Sequence, residues 1–232
     1  MFEFKQFVVD DALCAMKVGT DAVLLGAWAN IDGAHRILDV GTGSGIIALM
    51  AAQRNHNAEI TAIDVVEDAV RQAQSNVDGS PWRERIAVRL GDIVDYKADS
   101  SFDAILSNPP YFLNSLHSPD EVRSIARHSS SLSYDDLVSV GCRMLSDGGR
   151  MCVILPTECA AQFRRVAYDR LWLSRLTDVV TRHGESPRRT LMEFVRCDMP
   201  LMPRCDMLTI YGSSGEYTEE YRRLTQQFYI KF

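Results

Sequence analysis

The sequence has no paired metal ligands. Its six cysteines (14, 142, 152, 159, 197 and 205) contain no C-x-x-C, and its five histidines (35, 56, 117, 128 and 183) contain no H-x-x-x-H. Neither a metal site nor a dithiol couple is expected, and the thiols read as reduced and mostly buried. No apolar run reaches about 18 residues, the length that reads as a transmembrane helix. The first ten residues mix acidic and basic side chains and hold no long apolar h-region, so a cytoplasmic protein is expected, without secretion or membrane attachment. Positive charge is not in excess either: 25 Lys+Arg against 31 Asp+Glu leave a net charge of -6. That balance argues against nonspecific coating of nucleic acid. There is no internal repeat and no low-complexity tract.

What is present suffices for one ordinary core. With 232 residues, 46% of them hydrophobic and 24% charged, the chain is expected to form a single globular domain over 1–232 and to act as a monomer. From residue 36 onward, short β-branched runs alternate with helical patterns, the signature of βαβ units. Strands are expected at Arg36 to Val40, Glu59 to Asp64, Ile86 to Leu90, Phe102 to Ser107 and Arg150 to Leu155, with later runs at Leu173 to Val180, Leu191 to Cys197 and Met207 to Tyr211. The predicted fold is α/β and doubly wound, with a mostly parallel seven-stranded sheet and an antiparallel edge strand. Residues 1–35 form a short N-terminal extension. There Phe4 to Phe7 and Cys14 to Met16 read as two strands, and Thr20 as the cap of a short helix. Thr157 reads as another cap. The irregular stretch from Phe112 to Ser133 is long enough to point to function.

Asp39-Val40-Gly41-Thr42-Gly43-Ser44-Gly45 follows a strand and opens a helix, where glycines let a ligand approach the backbone. The dinucleotide fingerprint G-x-G-x-x-G requires glycine at 46, where this chain has Ile46, so an NAD(P) oxidoreductase is disfavoured. The G-x-G-x-G spacing after an acid resembles that of S-adenosylmethionine-dependent methyltransferases. Asp64 ends the second strand, where a doubly wound fold places a carboxylate for ribose hydroxyls. In Gly91-Asp92-Ile93, the same resemblance assigns Asp92 to the cofactor's adenine amino group and Ile93 to its ring.

Ser107-Asn108-Pro109-Pro110-Tyr111 ends the fourth strand, at the sheet edge where open α/β proteins bind ligands. A nucleobase amino group is a poor nucleophile because its lone pair is delocalised. Two acceptors, the Asn108 side-chain oxygen and the Pro109 carbonyl, would draw it toward sp³ geometry and stabilise its developing charge. Pro110 restricts Pro109 to an extended conformation, and Tyr111 can stack on a planar substrate. An activated methyl donor needs positioning more than a metal or a strong base.

These motifs, together with Met16-Lys17-Val18-Gly19-Thr20-Asp21-Ala22-Val23-Leu24-Leu25-Gly26-Ala27-Trp28, Ser80-Pro81-Trp82 and Tyr221-x-x-Leu224-Thr225-Gln226-x-Phe228-Tyr229, make the whole chain resemble the valine tRNA adenine-37 N6-methyltransferases. The resemblance implies S-adenosyl-L-methionine as cofactor and the anticodon loop of valine tRNA as substrate. It implies Asn108, Pro109, Pro110 and Tyr111 as catalytic residues. It places Lys17, Thr20 and Asp21 at the cofactor's methionine end, and Asp39, Gly41, Gly43, Gly45, Asp64, Asp92, Ile93 and Asn108 along the remainder. Residues 160–196 hold eight arginines and four acids, a net of +4 in an otherwise acidic chain. Arg182, Arg188 and Arg189, with Arg123 and Arg127, are the expected RNA contacts. The competing readings are another amino methyltransferase of the same motif, acting on ribosomal RNA or protein glutamine, and a noncatalytic RNA-binding module with a vestigial pocket.

Overall fold

The computed structural model describes residues 1–110 and 132–231. A two-stranded antiparallel hairpin, β1 (Phe2–Glu3) and β2 (Val8–Val9), precedes helix α1 (Thr20–Trp28). Then come β3 (Arg36–Val40), α2 (Ile46–Arg54), β4 (Glu59–Asp64), α3 (Glu67–Asp78), β5 (Ile86–Leu90) and β6 (Phe102–Ser107). The second half holds α4 (Tyr134–Met144), β7 (Leu145–Pro156), α5 (Thr157–Ala167), β8 (Trp172–Arg182), β9 (Arg189–Val195), β10 (Arg204–Tyr211) and α6 (Glu219–Thr225). Alternate strand residues point to opposite sides of the sheet. Ile37, Ile60 and Leu106 accordingly join the core beneath α1, α2, α3 and α6, while Leu38, Val40 and Ile105 join the core beneath α4 and α5. Among the described residues no helix is long and apolar enough to cross a membrane.

The strand order is β10-β8-β9-β7-β6-β3-β4-β5. The chain moves outward from β3 through β4 and β5, then returns to β3's other side with β6. A crevice therefore opens at the carboxyl ends of β3 and β6. The doubly wound, mostly parallel architecture is as expected, with two changes of detail. The sheet has eight strands rather than seven, and its one reversed strand is interior: β9 runs antiparallel to both β7 and β8. The β8–β9 hairpin fills the gap beside β7. The 196–203 connection then crosses one strand width and adds β10 parallel to β8 at the edge.

Other local readings also change. Phe4 to Phe7 is a turn, closed by Phe4 N–H donating to the Phe7 carbonyl at 2.9 Å, and Cys14 to Met16 is irregular. Gly19 and Pro156 occupy the N-cap positions expected of Thr20 and Thr157, without side-chain cap bonds. Ser133 and Asp136 instead form a capping box on α4. Half of the six thiols are buried: Cys14, Cys152 and Cys159. Of the aromatic positions that carried the terminal resemblance, Tyr229 ties the two chain ends together, and other rings cluster nearby. Tyr211, Tyr217 and Tyr221 stack at 4.8 and 5.0 Å, Phe4 stacks on Tyr229 at 6.1 Å and Phe7 meets Trp82 at 5.7 Å.

Gly45 sits at the N-cap of α2 with φ 81°, and a Cβ there would stand 3.3 Å from the Ala73 Cβ of α3. Its lack of a side chain sets the approach of these helices. Gly45→Ala is expected to destabilise the fold by about 1–2 kcal/mol from the left-handed backbone alone, with the Ala73 contact adding to it. Urea unfolding of the two proteins measures the difference.

Candidate active site at the carboxyl edge of the sheet

The loop from β3 into α2 folds back because Gly41, Gly43 and Gly45 all take positive φ, at 71°, 56° and 81°. Gly41 and Thr42 N–H groups both donate to the Ile63 carbonyl of β4, at 2.9 and 3.1 Å. The Asp64 carboxylate accepts from Gly43 N–H at 2.9 Å and from Val66 N–H at 3.0 Å. A β4 carboxylate thereby holds the loop between β3 and α2. Beyond the adjacent residues of the chain, no described atom lies within 4 Å of where a Cβ on Gly41 or Gly43 would stand. Their missing side chains leave open space on the ligand side of the loop.

That space belongs to a cavity of about 600 Å³. It brings together Lys17, Gly41, Gly43, Asp64, Asp92, Ile93, Asn108, Pro109 and Pro110 from the expected set. Asp92 and Ile93 enter from the end of β5, where Asp92 Oδ1 accepts from Val94 N–H at 2.9 Å. Asn108 enters from the end of β6. Its Oδ1 is buried and has no hydrogen-bond partner among the described residues, an acceptor that costs free energy until a donor arrives. Lys17 Nζ donates to the Asp11 carbonyl at 2.7 Å and so closes the wall segment that contains it.

The structure separates the remaining expected residues. Gly45 and Asp39 support the loop from outside the cavity lining. Asp39 is fully buried; its Oδ2 accepts from the Thr42 hydroxyl at 2.6 Å and from Ala48 N–H at 3.2 Å, and Oδ1 has no partner among the described residues. Burial pushes its carboxyl up to about 7, against the opposing bonds from Thr42 and Ala48. Thr20 and Asp21 also stand outside the lining. Asp21 Oδ2 accepts from Arg189 Nε at 2.7 Å, so two residues expected to meet different ligands meet each other. Tyr111, Arg123 and Arg127 lie outside the described residues.

Of the eight arginines in the basic segment, four form ion pairs among the described residues. Besides Arg189, Arg170 pairs with Asp135, Arg175 with Glu193 and Arg196 with Asp147. Arg182 and Arg188 are exposed at the β8–β9 hairpin, and Arg182 stands 5.7 Å from the centroid of the Tyr211 ring. Because β8 runs parallel to β7, this hairpin lies at the same sheet edge as Asn108. Among the described residues no cluster of three His, Cys, Asp or Glu side chains is placed to hold a metal.

The wall formed by Leu13, Cys14, Ala15 and Met16 was not anticipated. Asn76 of α3 holds this segment: its Nδ2 donates to the carbonyls of Asp10 (2.7 Å) and Ser44 (2.8 Å), and its Oδ1 accepts from Asp10 N–H at 2.9 Å. Gln72, one turn earlier, accepts from Leu13 N–H at 3.1 Å. The available signal was two polar residues on the otherwise apolar buried face of α3.

A family model for the methyltransferase small domain matches residues 16–162. The chain is 44% identical over 99% of its length, and 97% of the relative's, to a tRNA1(Val) (adenine(37)-N6)-methyltransferase from Bacteroides thetaiotaomicron. It is 47% identical, with the same coverages, to a protein of that description from Phocaeicola vulgatus. Among solved structures, an Agrobacterium tumefaciens protein described as a predicted O-methyltransferase superposes with TM-score 0.71 at 21% identity, covering 90% of this chain and 96% of its own. The N-methyltransferase NodS of Bradyrhizobium japonicum, in complex with S-adenosyl-L-homocysteine, has TM-score 0.52 at 17% identity, covering 75% and 83%. The last two likenesses establish the fold.

The raised Asp39 carboxyl has a consequence for stability. Between its ordinary value of 3.8 and about 7, the folded protein keeps a proton that the unfolded chain has lost, so stability falls as pH rises through this window and levels above it. Asp39→Asn is expected to remove this component. Urea midpoints without added ligand should fall more between pH 5 and pH 8 for the wild type than for the variant; equal falls would refute the assignment.

Proposed function

The chain belongs to the methyltransferase small domain family and to the tRNA1(Val) (adenine(37)-N6)-methyltransferases within it, and we propose that it methylates the exocyclic N6 of adenine 37 in the anticodon loop of valine tRNA, using S-adenosyl-L-methionine. The observation that carries this reading is Asn108, which lines a cavity whose other wall is a glycine loop and whose buried Oδ1 has no partner among the described residues. The open space at Gly41 and Gly43 fits a cofactor pressed against the backbone. When bound, S-adenosyl-L-methionine supplies a methyl group already activated by its sulfonium sulfur.

Asp64 serves the ribose hydroxyls, Asp92 the adenine amino group and Ile93 the adenine face, while Lys17 and its neighbours close the methionine end. Thr20 and Asp21 act behind that wall: the Arg189 partnership joins α1 to β9. Asn108 Oδ1 and the Pro109 carbonyl accept the two hydrogens of the target amino group, orient its lone pair and stabilise positive charge as it develops. The rigid Pro109-Pro110 pair keeps these acceptors in place, and Tyr111 stacks on the base. Burial excludes water that would otherwise satisfy Asn108.

For RNA, the reading assigns phosphate contacts to Arg182 and Arg188, with Arg123 and Arg127 completing the surface and Arg189 bracing it. An anticodon-loop base is already partly unstacked, which lowers the cost of drawing it into the cavity. The protein is taken to act as one domain and as a monomer in the cytoplasm, residues 1–35 contributing a pocket wall and 160–196 the RNA-facing edge.

Incubation of the protein with methyl-labelled cofactor and unmodified valine tRNA should yield N6-methyladenosine at position 37; active protein that leaves this base unmodified would overturn the reading. Asn108→Ala is expected to lower kcat by about 10²–10³-fold, as for loss of one preorganised transition-state contact, while cofactor affinity measured by calorimetry changes by less than about threefold. Arg182→Ala with Arg188→Ala should weaken tRNA binding and reduce the slope of log affinity against log salt by about 2. An unaltered slope would place the RNA elsewhere.

A further inference from the structure

The β5–β6 crossover, residues 91–101, contains no helix or strand, although it carries the Asp92 and Ile93 of the cavity wall. A connection without its own backbone ladder must find partners for its carbonyls elsewhere. Its near end is fixed by Gly91 N–H donating to the Asp64 carbonyl of β4 at 3.0 Å, and a tight turn follows, with Asp95 N–H donating to the Asp92 carbonyl at 3.2 Å. The carbonyls that follow are gathered by one side chain from another element. Arg143, in the last turn of α4, donates from Nη1 to the Tyr96 carbonyl at 2.6 Å and from Nη2 to the carbonyls of Ile93 and Val94, at 3.1 and 3.0 Å.

We propose that Arg143 is a positioning residue for the adenine end of the cofactor site: its guanidinium curls the 92–96 loop so that Asp92 and Ile93 face the cavity. The inference rests on the cofactor reading above and adds a residue outside the cavity lining. A planar guanidinium can reach separate carbonyls from two nitrogens at once, which an ammonium on a flexible stem reproduces in part. The same helix touches the cavity near its other end, where Asp136, and Leu132 just before the helix, join the lining. Helix α4 therefore meets the cavity lining directly near its first turn and through the 92–96 loop from its last. Arg143 itself is exposed, so its removal leaves no cavity in the core.

Calorimetry with S-adenosyl-L-homocysteine tests this. Arg143→Ala should weaken binding by about 10- to 150-fold, the worth of one hydrogen bond to a charged group, and Arg143→Lys should fall between it and the wild type. In methyl transfer the cofactor KM should rise correspondingly, with kcat at saturating cofactor and the tRNA KM within about twofold of wild type. In an Asp92→Ala background the further loss from Arg143→Ala should shrink below about twofold, since the two act through one loop. A binding constant unaffected by Arg143→Ala, or losses that multiply in the double variant, would overturn the role of Arg143 alone. Wild-type protein that binds no S-adenosyl-L-homocysteine would remove the cofactor reading, and this inference with it.

Discussion

The arrangement depends on one short piece of left-handed backbone. Gly41, Gly43 and Gly45 turn the chain from β3 into α2 within five residues, and their lack of side chains serves two different ends. At Gly45 a Cβ meets α3; at Gly41 and Gly43, which line the cavity, it would fill open space. Such a path is not self-supporting. Asp64 receives the Gly43 amide from one side, and Asp39 receives the Thr42 hydroxyl and the Ala48 amide from below. Both carboxylates sit at the ends of adjacent parallel strands, so the sheet register itself fixes the loop.

From that loop the rest of the site is built by polar side chains that cross between elements. Asn76 reads the loop at Ser44 and the N-terminal segment at Asp10 together, which brings a wall formed before the first sheet strand into register with the glycines. Arg189 reaches α1 from β9, and Arg143 reaches the β5–β6 loop from α4. In each case the backbone group or carboxylate reached lies in irregular chain or at a helix terminus. Helices and sheet satisfy their own ladders; the cavity walls are the parts that need help.

Much of this was legible in the residues. The alternation of apolar runs placed the first four sheet strands to the residue, because each is short, β-branched and bounded by turn residues. The glycine loop and Asn108-Pro109-Pro110 were recognisable as facing the same crevice because parallel strands bring their carboxyl ends to one edge. What was not legible follows from contacts distant in sequence. Phe4 to Phe7 has the composition of a strand, but its rings stack on each other and on the chain's last residues, which favours a turn. The excess of arginine in 160–196 read as a ligand surface, yet Arg170, Arg175, Arg189 and Arg196 neutralise acids within the fold.

By itself the sequence determined the chemistry: which loop can lie against a ligand, and which strand end carries an amide acceptor held by two prolines. Those properties reside in residue type and local spacing, where steric limits on φ and periodicity act directly. Tertiary structure alone decided that β9 enters between β7 and β8, that Asp21 answers to Arg189, and that Asn108 Oδ1 is buried without a donor among the described residues while Asp92 is held by its own turn. Each of these depends on which groups, far apart along the chain, compete for the same buried volume and the same hydrogen bonds.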